Sequence, residues 1–540
     1  MSPELLLREF ERIGDAPGAI ARLRRFVLDL AVSGRVVHQD LSEAPVDLKK
    51  GFPSENSRPR KRQPPAQLAY PSASSLVLPP GWMAATVGQV AECLDHVREP
   101  VNVETRNSRN AGKSQADLFP YFGATQQQGW IDDFLFDENL VLLGEDGVPF
   151  LDPLRPKAYR ITGKTWVNNH AHVLRPVLAL PEFLVMALNT FDYRGRVMGA
   201  TRSKLNQGQM RTMPIFLPPL PEQHRIAAKV YELMAICDQW EATQKERELH
   251  RDALRSVSLH RLTAEDGSEP ADVRFFLGKP RRLITKPEHV AAVRETILDL
   301  AVRGRLVPQD PADEHVSPSA EALPTGGPYP LPPSWQWRPV AQVGTARLGK
   351  MLDKAKNRGT PRRYLRNVNV RWFGFDLSDV KTMPFEDSEL HKFELTAGDI
   401  LVCEGGEPGR AAVWDGSAES MYFQKALHRV RVFHWMNAHF VVMVLRASAS
   451  DGRLVAQSTG ATFLHLTGQV LARVLVPVPP LAEQHRIVAK VDELMLLCDE
   501  IETALGSAQK VRGQLLESLL CEALAGSGDR AFVGDFAGAL

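Results

Sequence analysis

Nine basic residues crowd between Arg347 and Arg371 against a single acidic one, Asp353, with Tyr364, Asn367 and Asn369 interleaved and Trp372 just beyond. Lys and Arg neutralise phosphates at long range, while Arg and Asn carry the paired donors and acceptors that fit guanine and adenine edges. Ordinary solvated surface mixes both signs of charge. The run is therefore expected to contact nucleic acid through Lys350, Lys354, Arg362, Arg363, Arg366, Asn367, Asn369 and Arg371. Earlier in the chain the comparable candidates are Gln126, Gln127 and Gln128, in a loop after Tyr121, and Arg202, Lys204 and Asn206. For these the competing reading is solvent-facing loop. The basic cluster Arg58–Arg62 reads as flexible linker.

Catalytic punctuation is missing. No GxxxxGK[ST] phosphate loop occurs, and Gly123–Gly129 has the glycine spacing without the lysine. The [DN]-P-P-[FY] signature of amino-methyltransferases is absent. His170 and His172 alternate on a strand-like run, where a buried, hydrogen-bonded pair is the commoner explanation than a metal site. Asp376, Asp379 and Lys381 only loosely resemble a nuclease arrangement. The loop Gly405–Arg410 reads as a structural turn rather than an anion-binding nest. Five cysteines contain no CxxC spacing, so neither zinc nor a disulfide framework is expected.

The elements that must position these residues come in duplicate. Pro218–Asp238 and Pro479–Asp499 are identical at sixteen of 21 positions. Val27–Asp40 returns as Ile297–Asp310 with ten of 14 identical, and LPPGW at Leu78–Trp82 returns as LPPSW at Leu331–Trp335. Between these matched ends the two inserts differ. In each long repeat the apolar residues step by 4, 3, 4 and 3: Ile226, Val230, Leu233, Cys237, Trp240 and Ile487, Val491, Leu494, Cys498, Ile501. That is a heptad seam on a helix of about 35–40 residues, and the two seams are expected to pack on each other as an antiparallel pair. The alternative is packing of each seam within its own copy. Ala19–Val37 carries helical spacing with Gly34 as its C-terminal cap. Strands are expected at Leu140–Leu143, Lys164–Val167 and His172–Leu174, with a helix at Pro181–Tyr193. In the second insert the clearest elements are Asp399–Cys403, Ala426–Phe433 and His439–Leu445.

The expected organisation is an N-terminal helical region (1–50), a linker (51–77), a first domain (78–217), a long helix (218–265) and a second short helical region (266–310). A second linker (311–330), a second domain (331–477), a second long helix (478–526) and a tail (527–540) follow. Composition is that of a soluble protein, 44% apolar and 24% charged, with net charge +1. Glu4, Arg8, Glu9 and Glu11 argue against a signal peptide, and no run approaches the roughly 20 apolar residues that cross a bilayer. A cytoplasmic location is expected, with no membrane partner.

The twice-occurring PPLxEQHRI–AKV–ELM–CD segment, the repeated LDLAVxGR segment and the two LPPxW openings together resemble the specificity (S) subunits of type I restriction–modification systems over essentially the full length. The resemblance implies an α+β fold: two mixed α/β target-recognition domains separated by two long antiparallel coiled-coil helices, with pseudo-twofold internal duplication. It implies that the chain is non-catalytic and binds no cofactor. Each domain would read half of a split site in double-stranded DNA, and the helices would set the gap and dock two methyltransferase (M) subunits. S-adenosylmethionine, ATP and Mg would lie on partner subunits, including restriction (R) subunits. Competing readings are an S subunit of a related system with another cleavage enzyme, a self-contained modification enzyme, and a coiled-coil adaptor that never meets DNA.

Overall fold

The computed structural model describes residues 14–50, 78–199, 203–263, 284–314, 316, 326–353, 355, 357–457 and 465–525. The chain forms two compact units. The first comprises residues 1–247 and 509–540, the second residues 248–508. The 51–77 linker, which includes the Arg58–Arg62 cluster, and Arg202 and Lys354 lie outside the described residues.

In the first unit a short helix α1 (Ala19–Val32) precedes the recognition domain. The domain's outermost strands, β1 (Met83–Thr86) and β10 (Pro214–Leu217), pair antiparallel in register Met83↔Leu217. The insert thus begins and ends at one place. Inside, β2 (Ala91–Cys93), β9 (Ala171–Pro176), β6 (Leu140–Gly144) and β7 (Ala158–Ile161) form an antiparallel sheet in the order β2-β9-β6-β7. A second sheet runs β4-β3-β8-β5, from β3 (Phe119–Phe122), β4 (Gln127–Ile131), β5 (Phe136–Asp137) and β8 (Lys164–Val167). β3 and β8 are parallel, with Tyr121 opposite Trp166. Helices α2 (Val103–Asn110), α3 (Pro181–Thr190) and α4 (Gln207–Arg211) complete the domain. The long helix α5 (Leu220–Thr263) follows, longer than expected at 44 residues.

The second unit repeats this plan with different residues. After α6 (Glu288–Val302), strands β11 (Gln336–Pro339) and β21 (Leu475–Val478) close the insert. Strands β12 (Gly344–Leu348), β20 (Leu427–Val432), β17 (Ile400–Cys403) and β18 (Ala411–Val413) reproduce the four-stranded order. β13 (Thr360–Leu365), β16 (Lys381–Phe385) and β19 (Tyr422–Phe423) reproduce the second sheet, β13 parallel to β19 with Tyr364 opposite Tyr422. A two-stranded hairpin, β14 (Val370–Arg371) with β15 (Gly374–Phe375), is an addition. Helices α7 (Ala438–Ser450) and α8 (Gly468–Arg473) match α3 and α4, and α9 (Leu481–Ala525) is the second long helix.

The repeated motifs build the frame by the same bonds in both units. Trp82 and Trp335 of LPPxW are buried, each edge-on to a phenylalanine at 6.0 Å, Phe183 and Phe440. Each indole N–H donates to the glutamate of PPLxEQ: Trp82 to Glu222 at 3.1 Å, Trp335 to Glu483 at 3.0 Å. The next residue, Gln223 or Gln484, accepts from the backbone N–H of Leu180 or Asn437 (2.7 Å each), the residue that caps α3 or α7. Arg225 pairs with Glu43 and Arg486 with Asp313, in the loops after α1 and α6. Gly34 and Gly304 sit in the left-handed region at φ 71°. A Cβ there would lie 2.9 Å from Pro79 and 2.6 Å from Pro332, so the cap must be glycine both for its φ and for the approach of the Pro-Pro segment.

The seam residues are buried, yet not as a mutual coiled-coil seam. Ile226, Val230 and Leu233 join the core of the first domain together with Val27 and Ala31 of α1. Ile487, Val491, Leu494 and Cys498 join the core of the second. Cys237 packs with Leu23 and Phe26 of α1 and with Leu516, Leu520 and Ala523 of α9, all within the first unit. The expectation of two seams interdigitating is therefore corrected. Along Ile226–Leu233 and Ile487–Cys498 the recognition domain offers the nearest apolar surface, and at Cys237 α1 and α9 do, since a heptad stripe buries against whatever covers it. Among the described residues no helix is long and apolar enough to cross a membrane.

Candidate nucleic-acid interface

Backbone bonds bring two loops into correspondence that share no sequence. The Asn168 N–H donates to the Phe122 carbonyl at 3.1 Å, and the Gln424 N–H to the Leu365 carbonyl at 3.1 Å. The residues after Phe122 and those after Leu365 therefore leave equivalent strands at equivalent places. Those are the Gln126–Gln128 turn and the Arg366–Arg371 segment, singled out above on chemistry alone.

In the first domain Gln126, Gln127 and Gln128 are exposed on the β3–β4 turn. The turn is closed by Gly123 N–H to Gln126 O (3.1 Å) and braced by the Tyr159 hydroxyl donating to Gly123 O (2.6 Å). Asn168 donates to Gln128 Oε1 at 3.3 Å, and His170 faces Asp146 at 2.8 Å. Lys204 is exposed and 3.1 Å from Glu145. Asn206 is exposed, and its side-chain oxygen caps α4 by accepting from the Gln209 N–H at 2.8 Å. That role follows from a short polar side chain preceding a helical turn.

The histidine alternation resolves into two fates. His170 stays at the surface, while His172 is buried, with Nε2 2.9 Å from Leu205 O and Nδ1 2.7 Å from Asp95. His428 is its counterpart, Nε2 3.0 Å from Leu466 O. Both tie a central strand to the segment before a short helix. Burial depresses the His428 imidazole below its ordinary value, with the Leu466 carbonyl opposing. Asp95, Glu145 and His172 approach one another closely enough to hold a cation. However, Arg98 lies 2.6 Å from Glu145 and 3.4 Å from Asp95, so cationic side chains already answer both carboxylates.

In the second domain the candidates divide. Lys350 is buried, donates to Pro384 O at 2.9 Å, pairs with Glu389 and lies over the Phe385 ring. Asn369 is buried and holds its own loop, accepting from Arg366 N–H and donating to Asp376 O (2.9 Å) and Asp379 O (3.0 Å). Asn367 donates to Gly405 O at 3.0 Å, and Arg366 to the Asp379 carboxylate at 2.8 Å. Lys350 and Asn369 are thus buried in bonds of the fold, against the expectation that they face nucleic acid, while Arg366 and Asn367 stay half-buried on the same segment. A polar side chain in a loop is read equally well by its own backbone, and composition does not reveal which. Arg362 is half-buried, 3.7 Å from Asp387. Arg363 and Arg371 remain exposed, Arg371 with Asp376 at 3.1 Å.

The nuclease-like trio is an ion-pair cluster. Lys381 first and Arg366 next hold the Asp379 carboxyl below its usual range, the opposite of what a general base needs near neutrality. Gly405–Arg410 is a structural turn, as expected: Glu407 accepts from Trp372 Nε1 (2.6 Å) and from Arg410 (3.1 Å). The first domain holds a counterpart of this turn. Leu205 N–H donates to Glu145 O and Leu466 N–H to Glu404 O, aligning Glu145-Asp-Gly-Val-Pro149 with Glu404-Gly-Gly-Glu-Pro408. A shared Glu-x-Gly-x-Pro, 259 residues apart, was the available signal.

The family described as "Type I restriction modification DNA specificity domain" matches residues 79–251 and 333–508. The specificity subunits of the type I restriction enzymes EcoEI and EcoAI of Escherichia coli are 22% and 23% identical, each alignment covering 94% and 93% respectively of both chains. Among solved structures, the HsdS subunit from Thermoanaerobacter tengcongensis aligns with 83% of this chain and 98% of its own, at 17% identity and TM-score 0.42.

Proposed function

The chain belongs to the family of type I restriction–modification DNA specificity subunits, and from that membership we propose how its parts divide the work. Each recognition domain reads one half of a split site in double-stranded DNA, through the turn after β3 in the first and the segment after β13 in the second. The observation that carries this reading is one frame used twice around two unlike inserts. Identical residues hold each insert in place, and the surfaces that differ are the ones available to discriminate sequence. Two linked readers also gain effective concentration for the second half-site.

The long helices set the gap. At 1.5 Å per residue a 44-residue helix spans about 66 Å. That each unit includes the last stretch of the other copy's long helix supports an antiparallel spacer pair. The repeats also keep identical residues that the frame leaves exposed: Leu220, His224, Ala228 and Glu232 on α5, and Leu481, His485, Ala489 and Glu493 on α9. Spaced by four, they line one helix face. We assign these two faces to two methyltransferase subunits, which bring S-adenosylmethionine; restriction subunits bring ATP and Mg, and this chain performs no chemistry.

The test is co-expression with the partner methyltransferase and mapping of adenine methylation by single-molecule sequencing. A motif of two short specified halves around an unspecified gap is expected; assembly without sequence-specific methylation would refute DNA reading. In the same system Ala228→Arg should leave one methyltransferase bound and Ala228→Arg with Ala489→Arg none. Full recovery of both subunits by the double variant would remove the docking assignment.

A further inference from the structure

The β14–β15 hairpin has no counterpart in the first domain, where the chain passes from Gln126 directly into β4. Its register, Val370↔Phe375 and Arg371↔Gly374, leaves a two-residue turn of Trp372 and Phe373. Phe373 sits in the left-handed region at φ 65°. Only the second central residue of this turn is left-handed, the position that favours glycine or asparagine. A phenylalanine there is strained, and the residue is also 47% exposed. Both features run against folding alone.

The surroundings hold this tip still. The Phe373 N–H donates to Ala411 O at 3.1 Å. Trp372 Nε1 donates to Glu407, and the Arg446 guanidinium lies 5.3 Å over the Trp372 ring. Arg371, at the base of the turn, is exposed. The hairpin grows from the segment matched above to the Gln126–Gln128 turn. An apolar ring presented on a strained, pinned tip beside an exposed arginine suits the grooves of a duplex, where apolar wedges lodge between base steps and arginines meet phosphates.

We propose that the Phe373 ring inserts against a base step within the half-site read by the second domain, a contact the first domain does not make by this route. The proposal rests on the DNA-reading function above and adds a specificity-determining residue to it.

The test uses the full chain assembled with its methyltransferase subunits, as wild type, Phe373→Gly and Phe373→Trp. Glycine is at ease at this φ, so Phe373→Gly should melt no lower than wild type. It should bind a duplex carrying the mapped site about tenfold more weakly, the lower end of what one base–aromatic stack supplies. Phe373→Trp should bind within a few-fold of wild type. A 2-aminopurine placed in the second half-site should brighten on binding wild type and stay dim with Phe373→Gly, while recognition of the first half is unchanged. Undiminished affinity and methylation by Phe373→Gly would overturn the proposal. So would loss of methyltransferase assembly at unchanged DNA affinity, which would make the hairpin a protein contact. A wild-type complex lacking any split motif overturns the recognition reading itself, and this proposal with it.

Discussion

At the scale of single residues, polar side chains in this chain serve two masters, and their partners decide which. The Trp–Glu bond that joins LPPxW to each long helix is the clearest structural use. Burial lifts the carboxyls of Glu222 and Glu483 above their ordinary 4.5, with the indole N–H pulling the other way. The folded chain therefore takes up these protons more readily than the unfolded one. Their contribution to stability is full below about 4.5 and is lost as pH rises through the raised folded value. Glu222→Gln keeps an acceptor for the indole while removing the titration, so its Tm should be no lower than wild type at neutral pH and flatter against pH. A Tm profile as steep as wild type would show that Glu222 does not titrate this way. Asn369 and Arg363 give the contrasting pair. Asn369→Ala strips one backbone donor and two backbone acceptors of a buried partner and should cost about 2–3 kcal/mol in chemical denaturation. Exposed Arg363→Ala should stay within about 0.5 kcal/mol and weaken DNA binding instead. Equal stability losses in the two variants would contradict the division of scaffold from surface.

At the scale of elements, the long helices change character along their length. Residues 226–237 of α5 bury their apolar stripe in the first unit, whereas positions 241–247 are almost all exposed. A helix whose middle packs little can change length without disturbing either core. Inserting four residues after Lys245 adds about one turn, roughly 6 Å at 1.5 Å per residue. Against 3.4 Å per base step this should lengthen the unspecified gap by about one or two base pairs and leave both half-sequences intact. Methylation mapping reads this directly, and altered half-sequences would mean that the helix does not act as a ruler. The same reasoning explains why the heptad seam misled: the period fixed which face is buried, and the nearest apolar surface supplied the partner.

For the molecule as a whole, the two units are not simply the first and second halves of the sequence. Residues 509–540 belong with the first, where Leu516, Leu520 and Ala523 complete a cluster with α1, and Glu517 pairs with Arg22. Deleting 509–540 should therefore destabilise the first unit by several kcal/mol, since each lost leucine contact is worth about 2–5 kcal/mol, and should spare the second. Hydrogen exchange would report faster amide exchange in α1 with α6 unchanged; equal loss in both would contradict this grouping. Three motifs repeated at nearly one offset were enough to read duplication, the long helices, the glycine cap and the family from the sequence alone. Those features are local or periodic, and their physics acts within a few residues of the chain. Period and composition also sufficed for the main strands of the first insert. Three things waited for the tertiary structure: the common topology of two inserts without common sequence, the burial of Lys350 and Asn369, and the exposure of Phe373. Sheet order, burial and the choice of hydrogen-bond partner depend on residues tens to hundreds of positions away, and only the folded chain brings them together.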